Sequence, residues 1–255
     1  MTRVLIVLPS SSYRVADFVA AAKMLRVETV IATNAAQAMA GDMAYPLVRI
    51  DPRDPEWSAG RIVEFAQRFP LDAVVAADEE GVVMAAVAAR ELGLPHNPPE
   101  AVRVTRDKAA MRQVFADAAL PQPLFRVIGA DDDPVAACSE VGFPCVVKPV
   151  SLSASRGVIR VDGIDEVADT VARIRTITAE AGRDPSEPIL AESFVPGTEV
   201  ALEGLLVDGH LEVLALFDKP DPMNGPYFEE TILVTPSRLA QHVQDEIAAL
   251  SRAAA

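Results

Sequence analysis

Lys148 closes an apolar run, Cys145-Val146-Val147-Lys148-Pro149. An ammonium set against such a run is costly unless its stem reaches water or an anion meets it. Ser151, Ser153, Ser155 and Gly157 follow in a short polar stretch. Small residues let backbone amides approach a phosphate, and hydroxyls add donors. A lysine on one strand and a small-residue loop leading to the next would make a polyphosphate cradle. Read singly, each piece has a second explanation: a strand-end lysine reaching solvent, and a flexible hairpin connection. The stretch is not a Walker loop, because Gly-x-x-x-x-Gly-Lys-Ser/Thr is missing and it joins strand to strand.

Lys108 falls in the first turn of an expected helix. A cation there opposes the helix dipole, and a bound anion would reverse that sign. An exposed lysine offset by Asp107 explains it equally well. Glu192-Ser193-Phe194-Val195 ends one expected strand, and Glu199 opens the next beyond Pro196-Gly197. A strand edge with free backbone groups pairs with an adenine edge, and a nearby carboxylate accepts ribose hydroxyls. A hairpin with solvated glutamates is the plain alternative. Residues 218–230 form a long polar loop, of the kind used as lids or substrate loops, or else a disordered insertion.

Other reactive side chains suggest less. Cys138 and Cys145 fit no zinc or redox spacing and read as buried reduced thiols. His96, His210 and His242 are scattered and suggest no metal site. Asp78 and Glu79 at a strand end could contact a ligand or cap a helix.

These residues need elements to hold them. Through the first hundred positions, strand patterns at 4–8, 29–33, 47–50 and 73–77 alternate with helical patterns at 15–25, 57–69 and 82–92. Gly93 fits the last helix's C-terminal cap. That rhythm predicts an α/β domain with a doubly wound parallel sheet. Asn97-Pro98-Pro99-Glu100 starts a helix, and a second helix runs from about 107 to 119. Strands are then expected at 124–128, 143–150, 157–161, 189–195, 198–207, 210–217 and 230–234. Helices are expected at 134–141 and 165–180, with a last one from Thr235-Pro236-Ser237 to the end. The domains are taken as 1–96, 97–188 and 189–255.

The formal net charge of −14 repels nucleic acid and anionic lipid, so any phosphate site must be local. The apolar run Val4-Leu5-Ile6-Val7-Leu8 is too short for a signal peptide, and no run is long enough to span a membrane. A cytoplasmic location is expected, with room for a homo-oligomer.

In order and spacing the pieces resemble the ATP-grasp superfamily, in particular carboxylate–amine ligases of the carnosine synthase and L-amino-acid ligase type. The resemblance rests on Leu92-Gly93-Leu94-Pro95 leading into Asn97-Pro98-Pro99-Glu100-Ala101-Val102. It rests too on Asp107-Lys108-Ala109-Ala110-Met111-Arg112 and on Gly142-Phe143-Pro144-Cys145-Val146-Val147-Lys148-Pro149. Glu203-Gly204-Leu205-Leu206-Val207-Asp208-Gly209, Asp218-Lys219-Pro220 and Phe228-Glu229-Glu230-Thr231 add to it. It implies a pre-ATP-grasp domain followed by an incomplete α+β ATP-grasp domain. Lys108 and Lys148 would hold ATP phosphates under the 153–157 loop, with Ser153, Ser155 and Gly157 closing over them. Glu192, Ser193, Phe194 and Val195 would form the adenine hinge, and Glu199 would bind ribose. Lys219 and Glu230 would line the acceptor side for small carboxylate and amine substrates, amino acids among them. The reaction implied is phosphorylation of a carboxylate, then amine attack on the acyl phosphate.

The family holds magnesium with acids on strands after the C-terminal helix. Asp245 and Glu246 lie on that helix and are not taken as ligands, so the Mg2+ ligands are expected in a further segment and the chain is expected to be a truncated, inactive piece. The other readings are a non-catalytic nucleotide- or partner-binding module, and a glycinamide-ribonucleotide-synthetase-like or biotin-carboxylase-like enzyme. A serine-rich loop in place of a glycine run speaks against biotin carboxylase.

Overall fold

The computed structural model describes residues 2–10, 12, 14–34 and 47–255. The chain divides into two compact units, the first running to Arg106 and the second from Asp107 to Ala255.

In the first unit four strands make a parallel sheet in the order β3-β2-β1-β4. They are β1 (Arg3–Val7), β2 (Glu28–Thr33), β3 (Leu47–Arg49) and β4 (Ala73–Ala76). Their near-continuous apolar runs suit a sheet covered on both faces. On one face Leu5, Val7, Val30 and Ala32 pack with residues of α2 (Pro55–Arg68) and α3 (Val82–Glu91), among them Ile62 and Met84. On the other, Ile6, Leu8 and Ile31 pack with Ala22 and Phe18 of α1 (Val15–Met24). The sheet is therefore doubly wound, as the alternating pattern predicts. Gly93 ends α3 in the left-handed region, at φ +66°. Helix α4 (Pro99–Arg106) belongs to this unit, so the division lies ten residues past the expected one at 96/97.

The second unit holds an antiparallel sheet in the order β5-β8-β6-β7. Its strands are β5 (Phe125–Ile128), β6 (Cys145–Pro149), β7 (Ile159–Val161) and β8 (Ile189–Ser193). Helices α6 (Pro134–Val141) and α7 (Val167–Glu180) cover one face, burying Cys138, Cys145, Val147, Ile174 and Ala191 in one cluster. Helix α5 (Lys108–Asp117) precedes the sheet, its first turn capped by Asp107, which accepts from the amides of Ala109 (2.8 Å) and Ala110 (3.0 Å). Strands β9 (Val200–Val207) and β10 (His210–Asp218) form a separate hairpin, followed by α8 (Gln241–Ala254).

Three expectations need correction. Strand β8 lies inside the sheet between β5 and β6, so a division at 188/189 would cut the sheet. The strand expected at 230–234 does not form: only a single bridge joins Val234 to Asp218, because the Asp221 carboxylate holds Thr231 at both its amide (2.7 Å) and its hydroxyl. The last helix starts at Gln241, not at Thr235. The Asp218 carboxylate takes the Ser237 hydroxyl (2.5 Å) and the Arg238 amide (3.0 Å), holding that stretch in irregular backbone ahead of the helix.

Candidate functional site

Strand pleating sorts the residues of β6 and β8. Cys145, Val147, Ile189 and Ala191 enter the core under α6 and α7, and so Val146, Lys148, Leu190 and Glu192 share the opposite face. Val146 is directly opposite Glu192, which puts Lys148 and Glu192 on a diagonal within side-chain reach. The Lys148 ammonium donates to Glu192 Oε2 at 2.5 Å. Glu192 Oε1 accepts from Arg112 Nε on α5, also at 2.5 Å. All three are largely withdrawn from water, with Glu192 only 5% exposed. Burial pushes the Glu192 carboxyl up, but the Arg112 hydrogen bond and the Lys148 charge outweigh it and hold the group below the usual carboxylate range.

The loop after β6 is anchored by Lys108. Its amide donates to Val150 O at 3.2 Å, and its ammonium donates to Leu152 O and, at 3.4 Å, to Val150 O. The two lysines thus flank the root of the 151–157 loop. Ser151 is tied to Glu187 at 2.6 Å. Beyond it Ala154 (φ 56°), Ser155 (φ 53°) and Gly157 (φ 74°) adopt left-handed backbone. Two non-glycine residues in that region cost on the order of 1 kcal/mol each. Among the described residues, the amides of Ser153, Ala154 and Ser155 and the hydroxyls of Ser153 and Ser155 have no hydrogen-bond partner. Free amides on such a bend suit an anion.

The hinge residues are placed less simply. Glu192 and Ser193 offer no free edge, because β8 is paired on both sides: Glu192 opposite Phe125 and Val146, Ser193 opposite Cys145. The Phe194 amide donates to Pro144 O at 3.1 Å, so the free backbone begins at the exposed Val195. Arg160 of β7 lies over the Phe194 ring at 4.5 Å, and Phe228 of the long loop packs against Phe194 with centroids 6.5 Å apart. That loop is docked on β7, through Arg160 N to Pro226 O (2.9 Å), Arg160 Nη1 to Asn224 O (2.7 Å) and the Ile159–Tyr227 bridge. It is an ordered flank of the sheet, not a disordered insertion.

Glu199, Lys219 and Glu230 come together. The Lys219 ammonium donates to Glu199 Oε1 and Glu230 Oε2, each at 2.5 Å. Burial would lower this ammonium, yet the hydrogen bonds and charges of the two glutamates prevail and hold it above its ordinary value.

Two residues carry roles that sequence reasoning did not assign. Arg112 joins the Glu192 pair; the available signal was its i+4 spacing from Lys108, which puts both on one helix face. Gln122 donates to Arg112 O (3.0 Å) and leaves its buried Oε1 without a partner among the described residues. It lies two residues before Leu124, whose backbone exchanges hydrogen bonds with Ser193. Gln122 thus leaves a buried acceptor unused, and the 153–155 amides are donors free to meet an anion near two lysines. Magnesium is another matter: among the described residues no group of three or more His, Cys, Asp or Glu side chains could hold a metal ion.

Comparison with known proteins agrees with the fold. The family model for the ATP-grasp N-terminal domain matches residues 19–96, and that for the ATP-grasp domain matches residues 141–255. The chain is 29% identical over 203 residues to alanine–anticapsin ligase of Bacillus subtilis (strain 168), covering 73% of this chain and 42% of the relative. It is 26% identical over 175 residues to D-alanine–D-alanine ligase of Aromatoleum aromaticum, covering 68% of this chain and 54% of that enzyme. The crystal structure of an L-amino acid ligase from Bacillus licheniformis superposes with a TM-score of 0.79 at 25% identity, over 100% of this chain and 59% of that one. The chain thus spans about half the length of these curated relatives. No helix among the described residues is long and apolar enough to cross a membrane.

Proposed function

Because the chain belongs to the ATP-grasp superfamily, we propose that it carries the nucleotide-holding part of an ATP-dependent carboxylate–amine ligase acting on amino-acid-like substrates. One observation supports this most: Lys108 and Lys148 flank a left-handed loop in which the amides of Ser153, Ala154 and Ser155 are unused among the described residues. ATP would supply the phosphoryl group that turns a substrate carboxylate into an acyl phosphate open to amine attack.

The chain's own residues would do the positioning and the charge neutralisation that phosphoryl transfer asks of a protein. Lys108 and Lys148 face the phosphate charge, and the amides of Ser153 to Ser155 wrap it. The left-handed Gly157 lets the chain turn back into β7. The orphan Gln122 Oε1 and the backbone from Val195 onward take the adenine edge, beside Glu192, Ser193 and Phe194. Glu199 takes the ribose hydroxyls. Lys219, held between Glu199 and Glu230, links the ribose end to the acceptor side. Mg2+ is left out of these roles, since the described residues offer it no ligand set.

Calorimetric titration of the folded chain with ATP tests the reading. Binding should be measurable and should weaken by about tenfold or more in Lys148→Ala and in Lys108→Ala, each removing one unit charge from the phosphate. A folded parent that takes up no ATP would sink it.

A further inference from the structure

Arg112 is not placed against the loop that the nucleotide reading uses, yet it is bonded to the same carboxylate as Lys148. Each oxygen of Glu192 accepts one cation, Oε1 from Arg112 Nε and Oε2 from Lys148 Nζ, both at 2.5 Å. The side chains are 17%, 6% and 16% exposed for Arg112, Glu192 and Lys148. Two positive groups and one negative one leave a surplus of one positive charge where water screens poorly. Arg160, the other guanidinium on this sheet face, is matched by Asp162 at 2.7 Å. The surplus therefore depends on Arg112. Without it, Glu192 and Lys148 would form a neutral pair, and the Lys148 ammonium would add little net attraction for a phosphate to that of Lys108. A local surplus matters in a chain of net charge −14, whose wider field repels anions.

We propose that Arg112 is a positioning residue that neutralises Glu192 so that Lys148 keeps its full charge for a polyphosphate anion. A guanidinium suits the task, since it stays ionised beside any neighbour and presents a directed donor. The proposal rests on the nucleotide reading for its biological ligand, but its electrostatic core concerns any polyphosphate.

The test therefore uses two probes, inorganic tripolyphosphate and ATP, titrated calorimetrically into the intact chain and four variants, with circular dichroism confirming that each is folded. Arg112→Met should weaken tripolyphosphate binding by about tenfold or more, and Arg112→Lys should recover most of the loss. Glu192→Gln should tighten it. The double variant Arg112→Met, Glu192→Gln restores the surplus charge and should return to within about threefold of the parent. A merely structural Arg112 would show no rescue by Glu192→Gln, and that result overturns the proposal. If Arg112→Met does not fold, Glu192→Gln decides alone: unchanged or weaker tripolyphosphate binding overturns the proposal. Should tripolyphosphate follow the charge pattern while ATP does not bind, the nucleotide reading fails and the charge assignment stands. Should both bind without the pattern, the reverse holds. A folded parent that binds neither probe overturns both.

Discussion

Glu192 is the residue on which most of the site turns. Its carboxylate is buried, and it is kept ionised by Arg112 and Lys148. Because its folded pKa lies below the unfolded value, its contribution is complete above that value and fades as pH falls through the folded one. Glu192→Gln should therefore lower stability by about 2 kcal/mol near neutrality. The gap to the parent should begin to narrow below about pH 4 and go on narrowing as pH falls, as followed by urea unfolding from pH 7 to pH 3. Lys219 has the opposite sign. Its folded pKa is raised, so its stabilisation is complete below the ordinary lysine value and is lost as pH rises through the higher folded one. Lys219→Met should thus destabilise at neutral pH and begin to converge on the parent only as pH rises past the ordinary lysine value of about 10.4. Of these partnerships the sequence marks only the participants. Nothing in one-dimensional spacing says that Glu192 faces inward to two cations rather than outward to water.

Elements decide which of the candidate residues can act. β8 looks like a strand with a free end in the sequence, but its place between β5 and β6 uses up the backbone of Glu192 and Ser193. Strand existence was legible from apolar runs; strand neighbours were not, because pairing order depends on contacts far apart in the chain. The loop of 151–157 was legible as small and polar, and the structure adds its left-handed bend. Gly157 has φ +74°, and a Cβ there would sit 3.2 Å from Pro149 Cδ. Gly157→Ala should lower stability by about 1 kcal/mol or more and weaken polyphosphate binding together with it, read from urea midpoints and calorimetry. Asp107→Ala removes the cap of α5 and should cost about 1 kcal/mol, measurable in the same unfolding assay.

At the scale of the whole molecule, two units carry separate cores, one around Leu5, Ile62 and Met84 and the other around Val147, Ile174 and Ala191. All the proposed nucleotide contacts lie in the second. Ile62→Ala, in the first, should destabilise that unit by about 2–5 kcal/mol, while tripolyphosphate affinity stays within about twofold of the parent. A large loss of affinity in a variant still folded at the assay temperature would show that the site draws on the first unit. The strongly acidic composition belongs to this scale too: it argues against nucleic acid as a ligand and makes local positive surplus the condition for holding a phosphate.

The sequence alone determined the doubly wound first unit and the strand–loop–strand around Lys148, because hydrophobic periodicity and turn chemistry are local and repeat every few residues. It also carried the motifs that resemble ATP-grasp enzymes, whose order survives in any linear reading. Only the tertiary structure decided that β8 is an inner strand and that Arg112 and Lys148 share one carboxylate. The structure likewise pinned residues 235–238 to Asp218 instead of starting a helix there. Each of these depends on groups tens of residues apart meeting in space. That is settled by packing and by the cost of burying an unmatched charge, neither of which a neighbour in sequence reveals.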